Sequence, residues 1–278
     1  MTTSVQVLSG PLDDERRGAL VFDGHLLVFT SVPALVELAE LSQEVIPDPV
    51  RETDIEQVKD QFRRNPRVVG LVRVALEQVG LEPARTYWDR PRLRIVPPAT
   101  DREVGTIGFH RDTWGSNLLA QTNWWLPLRP LTHERTIAFY PEYWSKPIAN
   151  TSADWDLAAI RERRRAGLPL GDLPIVPSPT TPPRTDSELR VVLEPGDLLC
   201  FSGAHLHASV PNTSAGTRVS AELRTINSDD LAHGRGAPDL DGDAPGTQFQ
   251  WFRSITDGSP LRGSDGGTSP PPPDGDPG

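Results

Sequence analysis

The chain has only one cysteine among its 278 residues. A single thiol excludes an intrachain disulfide and every zinc site built from several cysteines. Cys200 lies in the apolar run Leu198–Phe201, which is typical of a buried strand, so we interpret it as a core residue and not as a catalytic thiol. Any chemistry has to be carried by other side chains.

Long apolar runs and clustered positive charge are also missing. The longest apolar runs, such as Ala19–Phe22 and Leu26–Phe29, have the length of a strand, and the first residues show no basic segment followed by an apolar one. The net charge is −10, and Lys59 and Lys146 are the only lysines. A basic face for nucleic acid is therefore not expected. We expect a cytoplasmic protein that binds neither nucleic acid nor a membrane.

Proline and glycine are abundant, with 29 and 23 residues, which indicates many turns. Residues 1–86 are predicted to form a hairpin and three helices that pack on the core. The hairpin is placed at residues 18–30, because Asp23-Gly24 between two apolar runs is a strong turn signal. The helices, identified from capping residues and apolar spacing, are expected from Ser31 to Ile46, from Thr53 to about Asn65, and from Pro66 to Val79.

Residues 87–230 change to short apolar runs separated by turn residues. Such a pattern favours an antiparallel sandwich or barrel of the jelly-roll kind, so the predicted fold is mainly β with flanking helices. The predicted strands are Arg92–Val96, Thr106–His110, Leu118–Leu128, Thr136–Tyr140, Leu189–Leu193, Asp197–Phe201, His205–Val210 and Arg218–Ile226.

An insertion at residues 150–187 interrupts this pattern. Its first half, Asp154 to Arg165, is typical of a short arginine-rich helix, and its second half is rich in proline. A solvated surface excursion is the favoured interpretation, and a lid over a substrate is the alternative. In the extension at residues 231–278, Thr247–Phe252 is expected to pack on the body, whereas the chain from about residue 262 is expected to be disordered.

Two short segments carry candidate metal ligands. His110 and Asp112 are one residue apart at the end of a predicted strand, where alternate side chains share a face. The second segment offers His205 and His207, which also share a face, and spacing alone does not choose between them. Two histidines and one carboxylate can occupy one face of a non-haem iron(II) and leave the opposite positions open.

The two segments resemble motifs of the phytanoyl-CoA dioxygenase family of iron(II)/2-oxoglutarate oxygenases. His110-x-Asp112 is similar to the proximal motif, and Pro195-Gly196-Asp197, Leu206-His207-x-Ser209-x-Pro211-Asn212 and Arg218 are similar to the distal motif. The resemblance covers roughly residues 88–227 and implies a double-stranded β-helix, cupin-like core. It implies His110, Asp112 and His207 as the iron ligands, with His205 as a neighbouring pocket or packing residue.

The same resemblance implies where the co-substrate binds. Arg218 is the expected anchor for the far carboxylate of 2-oxoglutarate, because a guanidinium can donate two parallel hydrogen bonds to it. Ser209 and Ser220 share strand faces with His207 and Arg218 and are expected to add hydrogen bonds, and Gln121 and Trp125 are candidate contacts on the strand Leu118–Leu128. Arg92 and Arg94 are interpreted as an outward-facing solvated pair, with contact to an anionic substrate as the alternative.

The implied activity is oxidation by Fe(II), 2-oxoglutarate and O2, with release of succinate and CO2. Because Asp112 supplies a carboxylate where related halogenases carry a small residue, hydroxylation or another oxidation of an unactivated C–H is favoured. The expected substrate is a small molecule such as a secondary metabolite or an amino-acid derivative. The alternatives are a non-redox cupin-like metal enzyme, a small-molecule sensor, or a degenerate relative that binds partners.

Overall fold

The computed structural model describes residues 3–98, 107–168 and 174–263, and the described chain forms two β-sheets. The strands are β1 (Val5–Leu8), β2 (Leu26–Phe29), β3 (Thr86–Trp88), β4 (Arg92–Val96), β5 (Gln121–Pro127), β6 (Ile137–Phe139), β7 (Leu189–Val191), β8 (Leu198–Ser202), β9 (His207–Ser209), β10 (Arg218–Asn227) and β11 (Arg253–Ser254). The larger sheet has the order β1-β2-β8-β5-β10-β3-β11, with β4 also paired to β10, and the smaller has the order β7-β6-β9.

Alternation along the strands creates two apolar layers. On β2, Leu26 and Val28 belong to the cluster that joins the two sheets, whereas Leu27 and Phe29 belong to the cluster beneath the helices. On β5, Trp125 lies in the first cluster and Trp124 in the second. Successive side chains of a strand point to opposite faces, so the larger sheet is buried on both sides. The prediction of a mainly β, double-stranded β-helix core with flanking helices is confirmed.

Helices cover the outer face of the larger sheet. The α-helices are α1 (Asp14–Phe22), α2 (Pro33–Val45), α3 (Ile55–Arg64), α4 (Pro66–Gln78), α5 (Thr113–Ser116), α6 (Leu157–Arg165) and α7 (Ser228–Ala232), and short 3-10 turns lie at Glu52–Asp54, Pro83–Arg85, Pro141–Trp144, Ser152–Asp154 and Phe249–Trp251. Cys200 lies in this outer core, and burial raises the pKa of its thiol to about 12, in keeping with an inert residue. In the described part of the chain, no helix is long and apolar enough to span a membrane.

The hairpin predicted for residues 18–30 is wrong. Asp14–Phe22 is a helix whose N-terminal Asp13 side chain accepts a hydrogen bond from the Arg16 amide. Gly24 has φ +92° and ends this helix, with its amide bonded to the Val21 carbonyl and the next amide to that of Leu20. A glycine with positive φ suits a helix end as well as a tight turn, so the Asp-Gly signal did not distinguish them.

The N-terminal part and the C-terminal extension each contribute a strand to the edge of the larger sheet. β2 lies between β1, with which it is parallel, and β8, with which it is antiparallel. β11, from the C-terminal extension, pairs with β3. The N-terminal part, expected to pack against the core, is therefore built into its main sheet.

The predicted helices at residues 31–79 are present, but two of their N-terminal caps differ. Ser31 has φ +53° and its side chain does not cap α2, which begins at Pro33. No side-chain cap bond forms at the start of α3, where the pattern from Thr53 predicted one. At α4, Asn65 accepts hydrogen bonds from the amides of Arg67 and Val68. The capping motifs thus predicted where the helices lie, but they were less accurate about the residue at which each helix begins.

Candidate metal centre

The backbones of His110 and His207 are hydrogen-bonded to each other. Each amide donates to the other residue's carbonyl at 3.0 Å, and the Ser209 amide donates to the Ile107 carbonyl at 2.9 Å. This antiparallel bridge places the segment at residues 107–110 beside β9, although it forms no named strand, and the predicted first residue, Thr106, lies outside the described residues. Two side chains distant in the sequence are thereby fixed next to each other.

Asp112 reaches the same point by a turn and not by an extended strand. Its backbone has φ −64° and ψ −30°, and α5 begins at the next residue. The expectation that His110 and Asp112 share one face of an extended strand is therefore wrong. One potential ligand atom from each of His110, Asp112 and His207 lies within 4.8 Å of the other two, and Nε2 of His207 is 3.6 Å from Oδ2 of Asp112.

Hydrogen bonds to backbone carbonyls orient both imidazoles. Nδ1 of His110 lies 2.8 Å from the Gly108 carbonyl, and Nδ1 of His207 lies 2.9 Å from that of His205. When Nδ1 carries the donated proton, the Nε2 lone pair is available to a metal. Burial and the neighbouring His207 lower the pKa of His110 to about 4, so this imidazole is neutral and able to ligate at physiological pH.

The structure separates the two candidate histidines of the second segment. The ring nitrogens of His205 lie 3.1 Å and 3.2 Å from the carbonyls of Ser202 and Gly24, and its ring packs 4.4 Å from Trp144. His207 is the histidine that lies with His110 and Asp112. His205 therefore has the surroundings of a packing residue.

A chain of amides holds the Asp112 carboxylate. Gln121 donates to Asn123 at 2.8 Å, and Asn123 donates to Oδ2 of Asp112. Arg224 lies 3.5 Å from Oδ1. Burial alone would raise the pKa of Asp112, but the charges of protonated His110 and of Arg224 outweigh it and lower that pKa. The carboxylate is thus ionised and held at both oxygens.

A cavity opens beside the three candidate ligands and is lined by residues of both sheets. Arg218 lines it and donates to the Thr136 carbonyl at 2.7 Å and to Ser209 Oγ at 3.2 Å. Nε of Arg218 and Oγ of Ser220 are buried without a hydrogen-bond partner. Burial lowers the pKa of Arg218 to about 10, which still leaves a cation at neutral pH. An anionic group placed here would accept hydrogen bonds from Arg218, whereas Ser220 is fully buried and is not among the residues that line the cavity.

The other two predicted co-substrate contacts take different places. Trp125 lines the cavity. Gln121 is fully buried and lies behind Asn123, where its amide supports the Asp112 carboxylate. The register of β5 against its neighbours decides which of its side chains reach the cavity. Spacing within one strand does not reveal that register.

Arg92 and Arg94 line the cavity, so the outward-facing interpretation is wrong. Arg94 donates to Glu222, and Arg92 lies 3.3 Å from Asp89, which also accepts from Arg224 at 2.6 Å. Sequence reasoning missed Glu222, Arg224 and Asp89 as site residues. The signal for the first two was available, because residues 218, 220, 222 and 224 share one face of β10.

The insertion also reaches the cavity, which overturns its interpretation as a solvated excursion. Its cavity-lining side chains are mostly apolar and belong to Trp155, Leu157, Ile160, Ile175, Val176 and Pro177. The segment's two ends pair with each other, since the Thr151 amide donates to the Ser178 carbonyl at 3.0 Å. Residues 150–187 therefore form part of the cavity wall.

The ordered piece predicted in the C-terminal extension packs on the body. The Gln248 amide donates to the Ser116 carbonyl at 2.9 Å, and Phe252 is fully buried. Trp251 borders the cavity, with the Arg224 guanidinium 5.0 Å from its ring centre. Most of the chain predicted to be disordered, residues 264–278, lies outside the described residues.

No protein-family model matches the chain, and no curated protein matches it by sequence. Among solved structures, it is similar to EvdO2 from Micromonospora carbonacea var. aurantiaca complexed with 2-oxoglutarate, with a TM-score of 0.47 and 14% identity over 79% of this chain and 93% of that chain. It is also similar to the epimerase SnoN in complex with Fe3+, alpha ketoglutarate and nogalamycin RO, with a TM-score of 0.46 and 13% identity over 90% and 96% of the two chains.

A third similar structure is the non-heme monooxygenase ThoJ in a nickel complex, with a TM-score of 0.35 and 14% identity over 71% of this chain and 68% of that chain. At such identities and scores, the function of this chain has to be argued from its own residues. The resemblance to the phytanoyl-CoA dioxygenase family stays a prediction.

Proposed function

We propose that this protein is an Fe(II)/2-oxoglutarate-dependent oxygenase that hydroxylates, or otherwise oxidises, an unactivated C–H of a small molecule. The observation that carries the proposal is the set His110, Asp112 and His207, whose ligand atoms lie within 4.8 Å of one another at the edge of a cavity. Two imidazoles and one carboxylate fit a non-haem iron(II) and leave coordination positions for other ligands.

The residues present fit both groups. His110 and His207 would hold the iron through Nε2, since Nδ1 of each faces a backbone carbonyl. Arg218, with Ser209, would hold the far carboxylate of 2-oxoglutarate. When bound, iron, 2-oxoglutarate and O2 supply the oxidising power, with succinate and CO2 as by-products. The protein's share is to bind, orient and keep water out.

The apolar side chains of the insertion would keep water out of the cavity. Trp155 and Ile160 are 8% and 2% exposed, and both line the cavity. A dry cavity strengthens the electrostatic contacts inside it and suppresses side reactions. Hydroxylation is proposed over halogenation because the Asp112 carboxylate is present and is held at both oxygens.

The test is formation of succinate from 2-oxoglutarate that requires both Fe(II) and O2. We expect His110→Ala and Asp112→Ala to lose this activity, and Arg218→Ala to raise KM for 2-oxoglutarate at least tenfold through the lost charge-assisted hydrogen bonds. His133→Ala, on an exposed histidine, is the matched control and should behave as the wild type. Full turnover by both ligand variants, or activity with zinc or manganese alone and no 2-oxoglutarate, would contradict the proposal.

A further inference from the structure

The cavity has two unlike walls. One is apolar and comes from the insertion, with Trp155, Leu157 and Ile160 among its side chains. The other is polar and comes from β4, β10 and the C-terminal extension, with Arg94, Glu222 and Trp251. The proposed metal and co-substrate sites use neither Glu222 nor Trp251. A molecule that fills this space has to satisfy both walls.

Glu222 supplies a fixed hydrogen-bond acceptor. Its side chain is 33% exposed, and Arg94 donates to its Oε1. Burial would raise the pKa of Glu222, but Arg94 and Arg224 lower it to about 2. The group is therefore a carboxylate at any physiological pH and accepts hydrogen bonds without donating them.

Trp251 supplies a donor on the same wall. Its indole nitrogen is buried without a hydrogen-bond partner, while its ring borders the cavity. The Arg224 guanidinium lies 5.0 Å from the ring centre and holds the indole in place. A buried N–H without a partner is costly, so a ligand oxygen that accepts from it is favoured.

Each charged side chain of the polar wall already has a partner of opposite charge, and Asp89 serves two arginines. Arg94 is bonded to Glu222, Arg224 to Asp89 at 2.6 Å, and Arg92 lies 3.3 Å from Asp89. A charged substrate would have to compete with these partners. A neutral group that both donates and accepts, such as a hydroxyl, can satisfy Glu222 and Trp251 without disturbing the ion pairs.

We propose that the substrate is an uncharged, hydroxyl-bearing molecule with a hydrocarbon body, and that Glu222 and Trp251 recognise its hydroxyl oxygens while the insertion covers the body. This inference rests on the proposed function for the position of the co-substrate. Glu222 thereby determines specificity, because a substrate without an O–H donor gives its carboxylate one hydrogen bond fewer.

The experiment uses the full-length protein loaded with Ni(II) and 2-oxoglutarate, so that binding is measured without turnover. Isothermal titration compares 4-phenylcyclohexanol, its methyl ether and 4-phenylcyclohexanecarboxylate, which share a body and differ in the polar group. We expect the alcohol to bind more tightly than the other two by roughly 10- to 100-fold, the range for one hydrogen bond to a charged group.

Two variants test the acceptor Glu222 and the donor Trp251 one at a time. Glu222→Gln should reduce the advantage of the alcohol over the ether to less than about threefold, because a neutral amide is the weaker acceptor. Trp251→Phe should weaken the alcohol and the ether alike, because both present an oxygen to the indole N–H. Glu194→Gln makes the same charge change at an exposed position and should leave all three affinities unchanged.

Equal wild-type affinities for alcohol and ether, tightest binding of the carboxylate, or no binding of the alcohol would overturn the inference. If Glu222→Gln does not fold, as judged by circular dichroism, Trp251→Phe and the wild-type comparison still decide it. Ni(II) and 2-oxoglutarate are titrated first into the same samples. Their failure to bind counts against the proposed function, whereas their normal binding without a preference for the alcohol counts against this inference alone.

Discussion

The Asp112 carboxylate is oriented by neighbours that do not themselves belong to the candidate ligand set. Asn123 and Arg224 contact its two oxygens, and Gln121 fixes Asn123 from behind. Gly203 leaves room for this chain, since a Cβ there would lie 2.9 Å from Nε2 of Gln121 and 3.4 Å from Cβ of Asp112. Partners of this kind hold a ligand in the geometry that a metal requires.

Removal of the Asn123 amide should therefore weaken metal binding. We expect Asn123→Ala to lower the affinity for Fe(II), or for Co(II) as a spectroscopic substitute, by about 10- to 100-fold. Gln121 is one hydrogen bond further from the carboxylate, so Gln121→Ala should lower the metal affinity by a smaller factor. The measurement is anaerobic titration of the metal-free protein, and equal affinities for wild type and Asn123→Ala would refute a positioning role.

Glu222 predicts a pH dependence of stability. Its pKa in the folded protein is about 2, below the ordinary 4.5, so its ionised form contributes stability that is present above pH 4.5 and lost as the pH falls towards 2. The unfolding free energies of wild type and Glu222→Gln should therefore converge over this range. Urea denaturation at a series of pH values measures it, and a difference that stays constant from pH 5 to 2 would contradict the prediction.

At the level of elements, the end of α1 depends on Gly24. Its φ is +92°, and a Cβ there would lie 2.6 Å from the Trp144 indole. Gly24→Ala should destabilise the protein by at least about 2 kcal/mol, since left-handed backbone alone costs about 1–2 kcal/mol for alanine. Gly10→Ala is the control, because nothing lies within 4 Å of the added carbon. The unfolding free energies of both variants are measured by urea denaturation. If they differed by less than about 0.5 kcal/mol, the usual scatter of surface substitutions, this account would be contradicted.

Elements with a strong local signal could be predicted from the sequence. The spacing of apolar residues located α2, α3 and α4, and runs between turn residues located β4, β5, β8 and β10. The strand β2 was found, but its partners were not, because β1 and β8 lie far from it in the sequence. Pairing between distant segments leaves no local pattern, so the assignment of residues 18–30 as a hairpin failed.

The same limit applies to the site. The spacing of His110 and Asp112 indicated a ligand pair, and the resemblance between motifs favoured His207 over His205. The acidic and basic partners Asp89, Glu222 and Arg224 were not predicted, because their role depends on the register between β10 and its neighbours β4 and β5. Register fixes which side chains share a wall, and a single sequence does not specify it.

At the level of the whole molecule, Asp241 ties the C-terminal extension to the candidate metal centre. Its carboxylate accepts from the Trp114 indole at 2.7 Å and from the Ile148 amide at 2.9 Å. It lies 3.2 Å from Nε of Arg111, the residue between His110 and Asp112. Both charged side chains are more than nine-tenths buried. The extension thus supports the turn that presents the carboxylate ligand.

Loss of this carboxylate should affect stability and metal binding together. We expect Asp241→Ala to destabilise the fold by about 3 kcal/mol, because it leaves the Arg111 charge buried without its acidic partner. It should also lower metal affinity. Asp243→Ala, two residues away and exposed, should change stability by less than about 0.5 kcal/mol. Thermal unfolding with and without metal measures both effects, and unchanged values for Asp241→Ala would refute the coupling.

The paired ends of the insertion have a consequence for how this protein can change. The segment leaves β6 and returns to β7, which are hydrogen-bonded neighbours, and its base is closed by the bridge between Asn150 and Pro179. The candidate metal ligands lie on other parts of the chain. The apolar wall of the cavity is therefore a separable module, so evolution or design can exchange it while the candidate ligands stay in place.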